Sequence, residues 1–160
     1  MNDIYRAGII GLGFIGAGDQ VSGDRLGQKV ENLDGTHLDA FLKNPRVEVV
    51  CGSSRDEGRR RRFLKRNADG GGTLSDWREM IGTVDLDIIS IAAYTPLHAE
   101  MTIASAEAGI PVVYCEKPIA STISEAERML DACKTSGSLL VINHNRRFSP
   151  TLRILRDYIA

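Results

Sequence analysis

Three glycines stand at a spacing that suits the binding of a phosphate. The sequence reads Gly11-Leu12-Gly13-Phe14-Ile15-Gly16 directly after the apolar segment Ile4 to Ile10. In a G-x-G-x-x-G turn the first glycine permits the tight turn, the second lets the backbone approach a pyrophosphate, and the third lets the following helix pack close to the strand. Free N–H groups at the start of that helix then face the anion. The pattern alone is weak, because glycines clustered in a loop are often only a turn.

A second polar cluster bears on the choice between two dinucleotides. Ser53-Ser54-Arg55 follows the second apolar segment of the chain. In a dinucleotide-binding fold this point meets the adenosine ribose, where an acidic residue suits the 2′-hydroxyl of NAD, and hydroxyls with an arginine suit the 2′-phosphate of NADP. The cluster therefore favours NADP over NAD, although Asp56 follows closely. We interpret the basic run Arg59 to Arg62 as a solvated helix face rather than a phosphate contact.

Three more polar clusters follow later apolar segments. They are Tyr94-Thr95-Pro96-Leu97-His98, Glu116-Lys117 and Asn143-His144-Asn145-Arg146-Arg147. Each of them falls where a predicted strand ends. Ligands of parallel α/β sheets bind beyond the carboxyl ends of the strands, so all five clusters are expected to meet at one edge of the sheet. This convergence is stronger evidence for a binding site than any single cluster.

Strands that alternate with helices are predicted to carry these clusters. The strands are expected at residues 4–10, 47–51, 73–74, 86–92, 111–115 and 139–142. Residues 86–92 are almost continuously apolar and rich in isoleucine, which indicates burial on both faces, as in a parallel sheet. We therefore predict an α/β fold with a doubly wound, mostly parallel sheet of the Rossmann type and helices on both faces.

Sequence signals also indicate helix ends and buried faces. Thr122 and Glu125 form a T-x-x-E capping box, and Ser75 is expected to cap a helix that runs to Ile81. A last helix is expected to begin at Pro150. Two apolar faces are expected to pack inward, and they comprise Ile123, Ala126, Met129, Leu130 and Cys133, then Leu152, Leu155 and Tyr158.

Residues 18–34 interrupt the alternating pattern. They contain Gly18, Gly23 and Gly27 and show little helical periodicity, so we interpret them as a loop inserted beside the phosphate site. Helical character returns at Thr36 to Lys43. The whole chain, residues 1–160, is predicted to be one dinucleotide-binding domain.

Composition argues against several other classes of protein. The chain has 160 residues, of which 26% are charged, and a net charge of −1, which argues against nucleic-acid or membrane-surface partners. Cys51, Cys115 and Cys133 show no C-x-x-C spacing and fit the reduced thiols of a cytoplasmic protein. The three histidines lie far apart in sequence, so no metal site is expected. No apolar segment is long enough to span a bilayer.

Four of these motifs together resemble the Gfo/Idh/MocA oxidoreductases, a family that includes glucose–fructose oxidoreductase and inositol 2-dehydrogenase. The motifs are Gly11 to Gly16, Thr95-Pro96-Leu97-His98, Glu116-Lys117-Pro118 and Arg146-Arg147-Phe148-Ser149-Pro150. The E-K-P tripeptide after a strand is the most specific of them. The resemblance covers nearly the whole chain. It implies an N-terminal NAD(P)-binding Rossmann domain followed by an α/β domain that shapes the substrate site and mediates oligomers.

The resemblance also implies roles for single residues. Lys117 matches the family lysine near the nicotinamide and the substrate hydroxyl, where an ammonium would polarise a carbonyl or help to move a proton during hydride transfer. Glu116 is expected to orient Lys117, to contact ribose, or to form a simple ion pair. Thr95 and Pro96, with Tyr94 beside them, match the loop that borders the ribose and the nicotinamide.

Other assignments stay open at this point. His98 either touches the cofactor or caps its helix. In the family Arg146 lies near the substrate side, where we also place Asn143, but Arg146 could instead form a salt bridge to a carboxylate. Ser54 stands where many NAD-using members carry an aspartate.

Two functions are compatible with these features. The chain is either the cofactor domain of a dehydrogenase acting on a sugar or polyol, or a stand-alone dinucleotide-binding module without turnover. Lys117 and Arg146 favour the first, whereas the position of Ala160, about where the family's second domain would begin, favours the second. We expect cofactor binding without appreciable sugar turnover, and a homo-oligomer, because a surface meant for a second domain would be exposed.

Overall fold

One six-stranded parallel sheet forms the centre of the molecule. The structure, a computed structural model, describes residues 4–21 and 35–159. The strands are Tyr5–Ile10 (β1), Val47–Ser53 (β2), Gly72–Leu74 (β3), Ile88–Ile91 (β4), Val112–Cys115 (β5) and Leu139–Ile142 (β6). Their order is β3-β2-β1-β4-β5-β6, and every neighbouring pair is parallel. The sheet is thus wound outward in both directions from β1, which confirms the predicted doubly wound fold.

Helices connect the strands and cover both faces of the sheet. The helices of the described ranges are Phe14–Ala17 (α1), His37–Leu42 (α2), Glu57–Arg66 (α3), Trp77–Thr83 (α4), His98–Glu107 (α5), Ile123–Ser136 (α6) and Pro150–Ile159 (α7), with 3₁₀ turns at Thr95–Leu97 and Asn145–Phe148. The capping box predicted at the start of α6 is present in full. The predicted cap Ser75 is wrong by one residue, because the carboxylate of Asp76 accepts the Arg78 N–H at 2.9 Å. An ionised carboxylate is the stronger acceptor of the two.

Two apolar clusters lie on opposite faces of the sheet. On one face, Ile89 and Val113 of the sheet are fully buried in one cluster with Met129 of α6. On the other face, the cluster is built from Ile9, Leu12, Ala17, Leu38, Val49 and Phe63. Adjacent residues of a strand point to opposite faces, and in β4 Ile89, Ser90 and Ile91 are all fully buried. The predicted burial of this strand on both faces is therefore confirmed.

Two of the expected apolar faces do not pack as predicted. On α6, Met129 and Cys133 are buried, but Ile123 is 80% exposed and Leu130 is 54% exposed, so the buried stripe is narrower than the periodicity suggested. On α7, Leu152, Leu155 and Tyr158 were expected to face the domain, yet all three are exposed. The spacing of apolar residues defines one side of a helix but does not determine what covers that side.

The predicted inserted loop begins directly after α1. Gly18 ends α1 in the left-handed conformation, with φ +64°. The backbone of Gln20 and Val21 is helical, which differs from the expected loop, and residues 22–34 lie outside the described ranges. No helix within the described part of the chain is long and apolar enough to cross a membrane.

Candidate functional site: the carboxyl edge of the sheet

The fold itself requires two of the three motif glycines. Gly11 adopts φ +94°, and a Cβ there would lie 2.4 Å from the carbonyl oxygen of Ala92. At Gly16 a Cβ would lie 2.0 Å from the carbonyl oxygen of Gly11, so α1 can approach β1 only without a side chain at this position. The expected roles of Gly11 in the tight turn and of Gly16 in close packing agree with this geometry.

The fold does not require a glycine at position 13. The Gly13 backbone has φ −79° and ψ −162°, which other residues can adopt. Among the described residues, a Cβ there would approach only the Arg59 guanidinium, with Nη1 at 4.0 Å. The helical hydrogen bonds of this turn begin with the Ala17 N–H, which donates to the Gly13 carbonyl at 3.0 Å, so the preceding amides of α1 do not take part in the helical hydrogen bonds. Within the described part of the chain, the space above Gly13 is therefore bordered by the Arg59 guanidinium alone.

The residues predicted to read the adenosine ribose lie beside this turn. Ser53 is buried, and its carbonyl accepts the Gly11 N–H at 2.9 Å, which joins the end of β2 to the glycine turn. The Ser54 hydroxyl accepts the Asp56 N–H at 3.3 Å. Arg55 is exposed to solvent. The guanidinium of Arg55 is thus accessible to a ligand at this end of the turn.

The basic run on α3 is largely occupied by contacts within the protein, so its interpretation as a solvated face is wrong for most of its members. Arg62 makes two hydrogen bonds to the carboxylate of Asp19, at 2.6 and 3.1 Å, and Asp19 is fully buried. Arg60 donates to the Ser54 carbonyl at 2.6 Å. Only Arg61, paired with Glu57 at 2.5 Å, lies on an exposed face as expected.

The carboxylate of Asp19 lies within salt-bridge distance of three arginines next to the glycine turn. Its hydrogen bonds raise the pKa of Arg62, whereas burial lowers the pKa of Arg66, whose Nη1 lies 3.6 Å from Asp19. Arg59, with Nε 3.8 Å from the same carboxylate, is the member of the cluster that reaches the space above Gly13. Sequence reasoning missed Asp19, because it falls in residues interpreted as a loop.

A buried polar network lies behind the E-K-P turn at the end of β5. The Glu116 carboxylate accepts from His37 Nε2 at 2.9 Å and from Asn143 Nδ2 at 2.5 Å, both through Oε1. Its Oε2 accepts the backbone N–H of Lys117 at 3.1 Å. The other ring nitrogen of His37, Nδ1, contacts the hydroxyl of Ser90 on β4. Of the roles considered for Glu116, a pairing within the protein agrees best with this geometry, because the carboxylate is hydrogen-bonded to His37 and to Asn143.

This network decides the charge of Glu116. Burial alone raises the pKa of the carboxyl group, but the hydrogen bonds from His37, Asn143 and the Lys117 amide outweigh burial and lower the pKa below its ordinary value. Glu116 is therefore an ionised acceptor at neutral pH. His37 was not predicted, because it lies 79 residues from Glu116 and no local pattern signals the contact.

His98 joins the loop after β4 to the E-K-P turn. The ring is fully buried, with Nδ1 2.8 Å from the Pro118 carbonyl oxygen and Nε2 3.0 Å from the Ala93 carbonyl oxygen. Its side chain does not cap α5, and both ring nitrogens face the backbone. This geometry favours a structural role over a cofactor contact. The neighbouring Tyr94 is 84% exposed and lies at the rim of the sheet edge.

Lys117 opens onto a pocket at the carboxyl edge of the sheet. The pocket has a volume of about 550 Å³ and is lined by Lys117, Asn143, His144, Asn145, Arg146 and Arg147. Among the described residues no carboxylate forms a salt bridge with Arg146, which is exposed. The structure thus brings Lys117, Asn143 and Arg146 together around one open space.

The fold and the site together define a class of protein. A parallel sheet in the order 3-2-1-4-5-6, with a G-x-G-x-x-G turn after β1, is the Rossmann architecture of dinucleotide-binding domains. The family model for the Gfo/Idh/MocA group, described as an oxidoreductase family with an NAD-binding Rossmann fold, matches residues 5–144. The chain belongs to this family, and the resemblance noted in its motifs is confirmed.

Curated relatives act on sugars and polyols. The chain is 40% identical to levoglucosan dehydrogenase of Pseudarthrobacter phenanthrenivorans over 87 residues, which cover 54% of this chain and 22% of the relative. It is 28% identical to inositol 2-dehydrogenase of Salmonella typhimurium over 155 residues, which cover 96% of this chain and 41% of the relative. The chain thus spans about two fifths of the length of that dehydrogenase.

Solved structures show the same fold. The 3-ketoreductase KijD10 of Actinomadura kijaniata, in complex with NADP and TDP-benzene, superposes with a TM-score of 0.79 at 26% identity, covering 98% of this chain and 42% of that protein. The myo-inositol 2-dehydrogenase of Lactobacillus plantarum superposes with a TM-score of 0.77 at 26% identity, covering 98% and 41%. Each match therefore covers nearly all of this chain and about two fifths of the other protein.

Proposed function

We propose that this chain binds a nicotinamide dinucleotide at the carboxyl edge of its sheet and serves hydride transfer to or from a sugar or polyol. The observation that supports the proposal most is the space above Gly13. The described residues leave room for a Cβ at this position, yet the residue present is glycine. The adjacent amides of Phe14, Ile15 and Gly16 supply donors for a pyrophosphate at that point. The bound nicotinamide would supply the hydride acceptor or donor.

Further residues would hold the two ends of the dinucleotide. At the adenosine end, Ser53, Ser54 and Arg55 lie beside the glycine turn. At the nicotinamide end, the loop Tyr94 to Pro96 and the turn Glu116-Lys117 follow neighbouring strands, β4 and β5. The Glu116 carboxylate is already engaged by His37 and Asn143, so it supports this end from behind.

Lys117 is our candidate for the catalytic group. Its side chain is exposed at the pocket, while its backbone N–H is fixed on Glu116. An ammonium at this position donates a hydrogen bond to the oxygen of a carbonyl and returns a proton as that oxygen becomes a hydroxyl. Asn143 and Arg146, which line the same pocket, are proposed to contact the substrate. The polar lining suits the hydroxyl-rich substrates named for the relatives.

The proposal extends to the choice between NADP and NAD and to the cellular location of the protein. We propose a preference for NADP over NAD, supported by the hydroxyls and the guanidinium at Ser53, Ser54 and Arg55 and by the absence of an acidic residue at position 54. We also propose a reducing, cytoplasmic location, supported by three cysteines that are all free and buried. The homo-oligomer expected from the sequence stays a prediction.

The test of dinucleotide binding compares two substitutions of Gly13. Gly13→Ser and Gly13→Val are both expected to leave the fold intact, because the nearest described atom to a Cβ there is 4.0 Å away, and circular dichroism checks this. Gly13→Val is expected to abolish the binding of NADH and NADPH in calorimetry, and Gly13→Ser to weaken it less. Unchanged affinity for both cofactors in folded Gly13→Val would sink the proposal. Turnover of a polyol by the wild-type chain would exclude a binding module without turnover.

A further inference from the structure

The buried network behind Lys117 reaches the open pocket at a single side chain. Ser90, His37 and Glu116 are all buried, and they form a continuous chain of hydrogen-bond contacts from β4 through α2 to the end of β5. Asn143, at the end of β6, is the next member of this chain, and it is only partly buried because it also lines the pocket. The network therefore connects the sheet interior to the surface that would face a substrate.

The chemistry of Glu116 determines which way the Asn143 carboxamide points. An ionised carboxylate accepts hydrogen bonds and donates none, so the side of Asn143 that faces it must be the NH2 group. Nδ2 lies 2.5 Å from Oε1 of Glu116, and the same oxygen lies 2.9 Å from His37 Nε2. The other terminal atom of the carboxamide, Asn143 Oδ1, then points away from Glu116. Within the described residues, Oδ1 has no hydrogen-bond partner and is not sealed from solvent.

This orientation places a hydrogen-bond acceptor beside three side chains of the pocket that can only donate. Lys117, Arg146 and Arg147 carry only hydrogen-bond donors. A substrate hydroxyl has one O–H donor as well as two acceptor lone pairs, and its O–H needs an acceptor. A carboxamide oxygen next to Lys117 would bind the hydroxyl hydrogen while the ammonium binds the hydroxyl oxygen.

We propose that His37 is a positioning residue, which holds Glu116 in place so that Asn143 presents its amide oxygen to the pocket as the acceptor for a substrate hydroxyl. The proposal rests on the proposed function for the nature of the substrate, but the amide orientation is a property of the chain alone. Without the His37 N–H, Oε1 of Glu116 would lose one of its two donors and the Asn143 amide would no longer be held in one orientation.

The first measurement follows the side-chain NH2 protons of Asn143 in a ¹⁵N-labelled chain. Because a hydrogen bond to a charged acceptor is worth about 1.5–3 kcal/mol, these protons should exchange with water at least roughly tenfold more slowly than those of Asn145. Asn145 is a control within the same molecule, since it is exposed in the same pocket. Equal exchange of the two amides in the wild-type chain would overturn the proposal without any substitution.

Variants of His37 separate positioning from general packing. His37→Phe keeps a ring but removes the donor, whereas His37→Gln retains an N–H that can reach Glu116. Ser105→Ala is the matched control, because it removes another buried hydrogen bond, from the Ser105 hydroxyl to the Met101 carbonyl at 2.7 Å, away from the site. We expect faster exchange of the Asn143 amide in His37→Phe, and rates near the wild type in His37→Gln and Ser105→Ala. Slow exchange in a folded His37→Phe would contradict the proposal.

A titration tests the acceptor role itself. With NADPH or NADH bound, myo-inositol and levoglucosan should each shift the Asn143 side-chain resonances, and both Asn143→Leu and His37→Phe should weaken the binding of these probes more than the binding of the cofactor. If a cofactor binds and neither probe moves Asn143, the acceptor role is wrong. If neither NADPH nor NADH binds, the proposed function fails, and the exchange rates still decide whether His37 orients Asn143.

Discussion

His98 and Pro118 are in direct contact, with Nδ1 of the imidazole 2.8 Å from the Pro118 carbonyl oxygen. The second ring nitrogen lies 3.0 Å from the carbonyl oxygen of Ala93, so one buried side chain bridges the loops that follow β4 and β5. These loops carry Thr95 and Lys117, which we place at the nicotinamide end. The position of the proposed catalytic lysine therefore depends on a residue that the sequence also allowed as a cofactor ligand.

Replacement of His98 should destabilise the fold. His98→Phe keeps a buried ring but removes the imidazole N–H, so at least one of the carbonyls of Ala93 and Pro118 loses a donor, and an unsatisfied buried group costs about 1–3 kcal/mol. We expect a loss of that size in the free energy of unfolding, measured by urea denaturation. His144→Ala, at an exposed position, is the control and should change stability by less than about 0.5 kcal/mol. Equal stability of the two variants would contradict the bridging role.

Gly16→Ala should disrupt folding, in contrast to substitutions of Gly13. The new Cβ would lie 2.0 Å from the Gly11 carbonyl oxygen, a backbone atom that cannot move aside, so we expect a loss at or above the roughly 1–3 kcal/mol typical of overpacking. Gly82→Ala on α4 is the matched control. Among the residues that the structure describes, no neighbouring atom lies within 4 Å of a Cβ there, and alanine favours a helix, so a gain of about 0.5–1 kcal/mol is expected. Thermal unfolding of both variants measures the difference.

Local patterns in the sequence predict the parts of the site that local physics determines. The glycine turn, the strands and the capping box of Thr122 and Glu125 were all predictable, because each depends on residues within a few positions. The contact of His37 with Glu116 depends on how α2 packs against the sheet edge, and no periodicity encodes that. The exposed side of α7, which includes Leu155, shows the same limit, since amphipathicity does not identify the covering surface.

Asp19 should be important for stability even though it falls in the predicted loop. Asp19→Asn removes the negative charge that neutralises Arg62 and the half-buried Arg66. Breaking a buried ion pair costs about 3–5 kcal/mol, and we expect the lower end because Arg62 is partly exposed. Glu57→Gln, which breaks the exposed pair with Arg61, is the control and should cost at most about 1 kcal/mol. Similar urea midpoints for the two variants would refute this role of Asp19.

The cysteines should be unreactive in the folded chain. Burial raises the pKa of Cys115 to about 12, and it also raises those of Cys51 and Cys133. Because only the thiolate is nucleophilic, a raised pKa means that the neutral thiol dominates at pH 8. Between pH 9 and the folded-state pKa the unfolded chain ionises first, so stability should fall as pH rises through this range. Mass spectrometry after iodoacetamide treatment, with and without urea, measures the reactivity. Rapid labelling of Cys115 without urea would contradict the prediction.

Arg55→Ala should change cofactor choice if this exposed guanidinium binds the 2′-phosphate. Loss of one charge-assisted contact costs about 1.5–3 kcal/mol, so NADPH affinity should fall roughly ten- to hundredfold while NADH affinity changes little. Arg61→Ala, whose guanidinium is paired with Glu57, is the control and should affect neither cofactor. Titrations that follow nicotinamide fluorescence give both dissociation constants. Equal weakening of both cofactors by Arg55→Ala would show that Arg55 does not read the phosphate. A selective loss only in Arg59→Ala would assign the phosphate to the arginine that already reaches the space above Gly13.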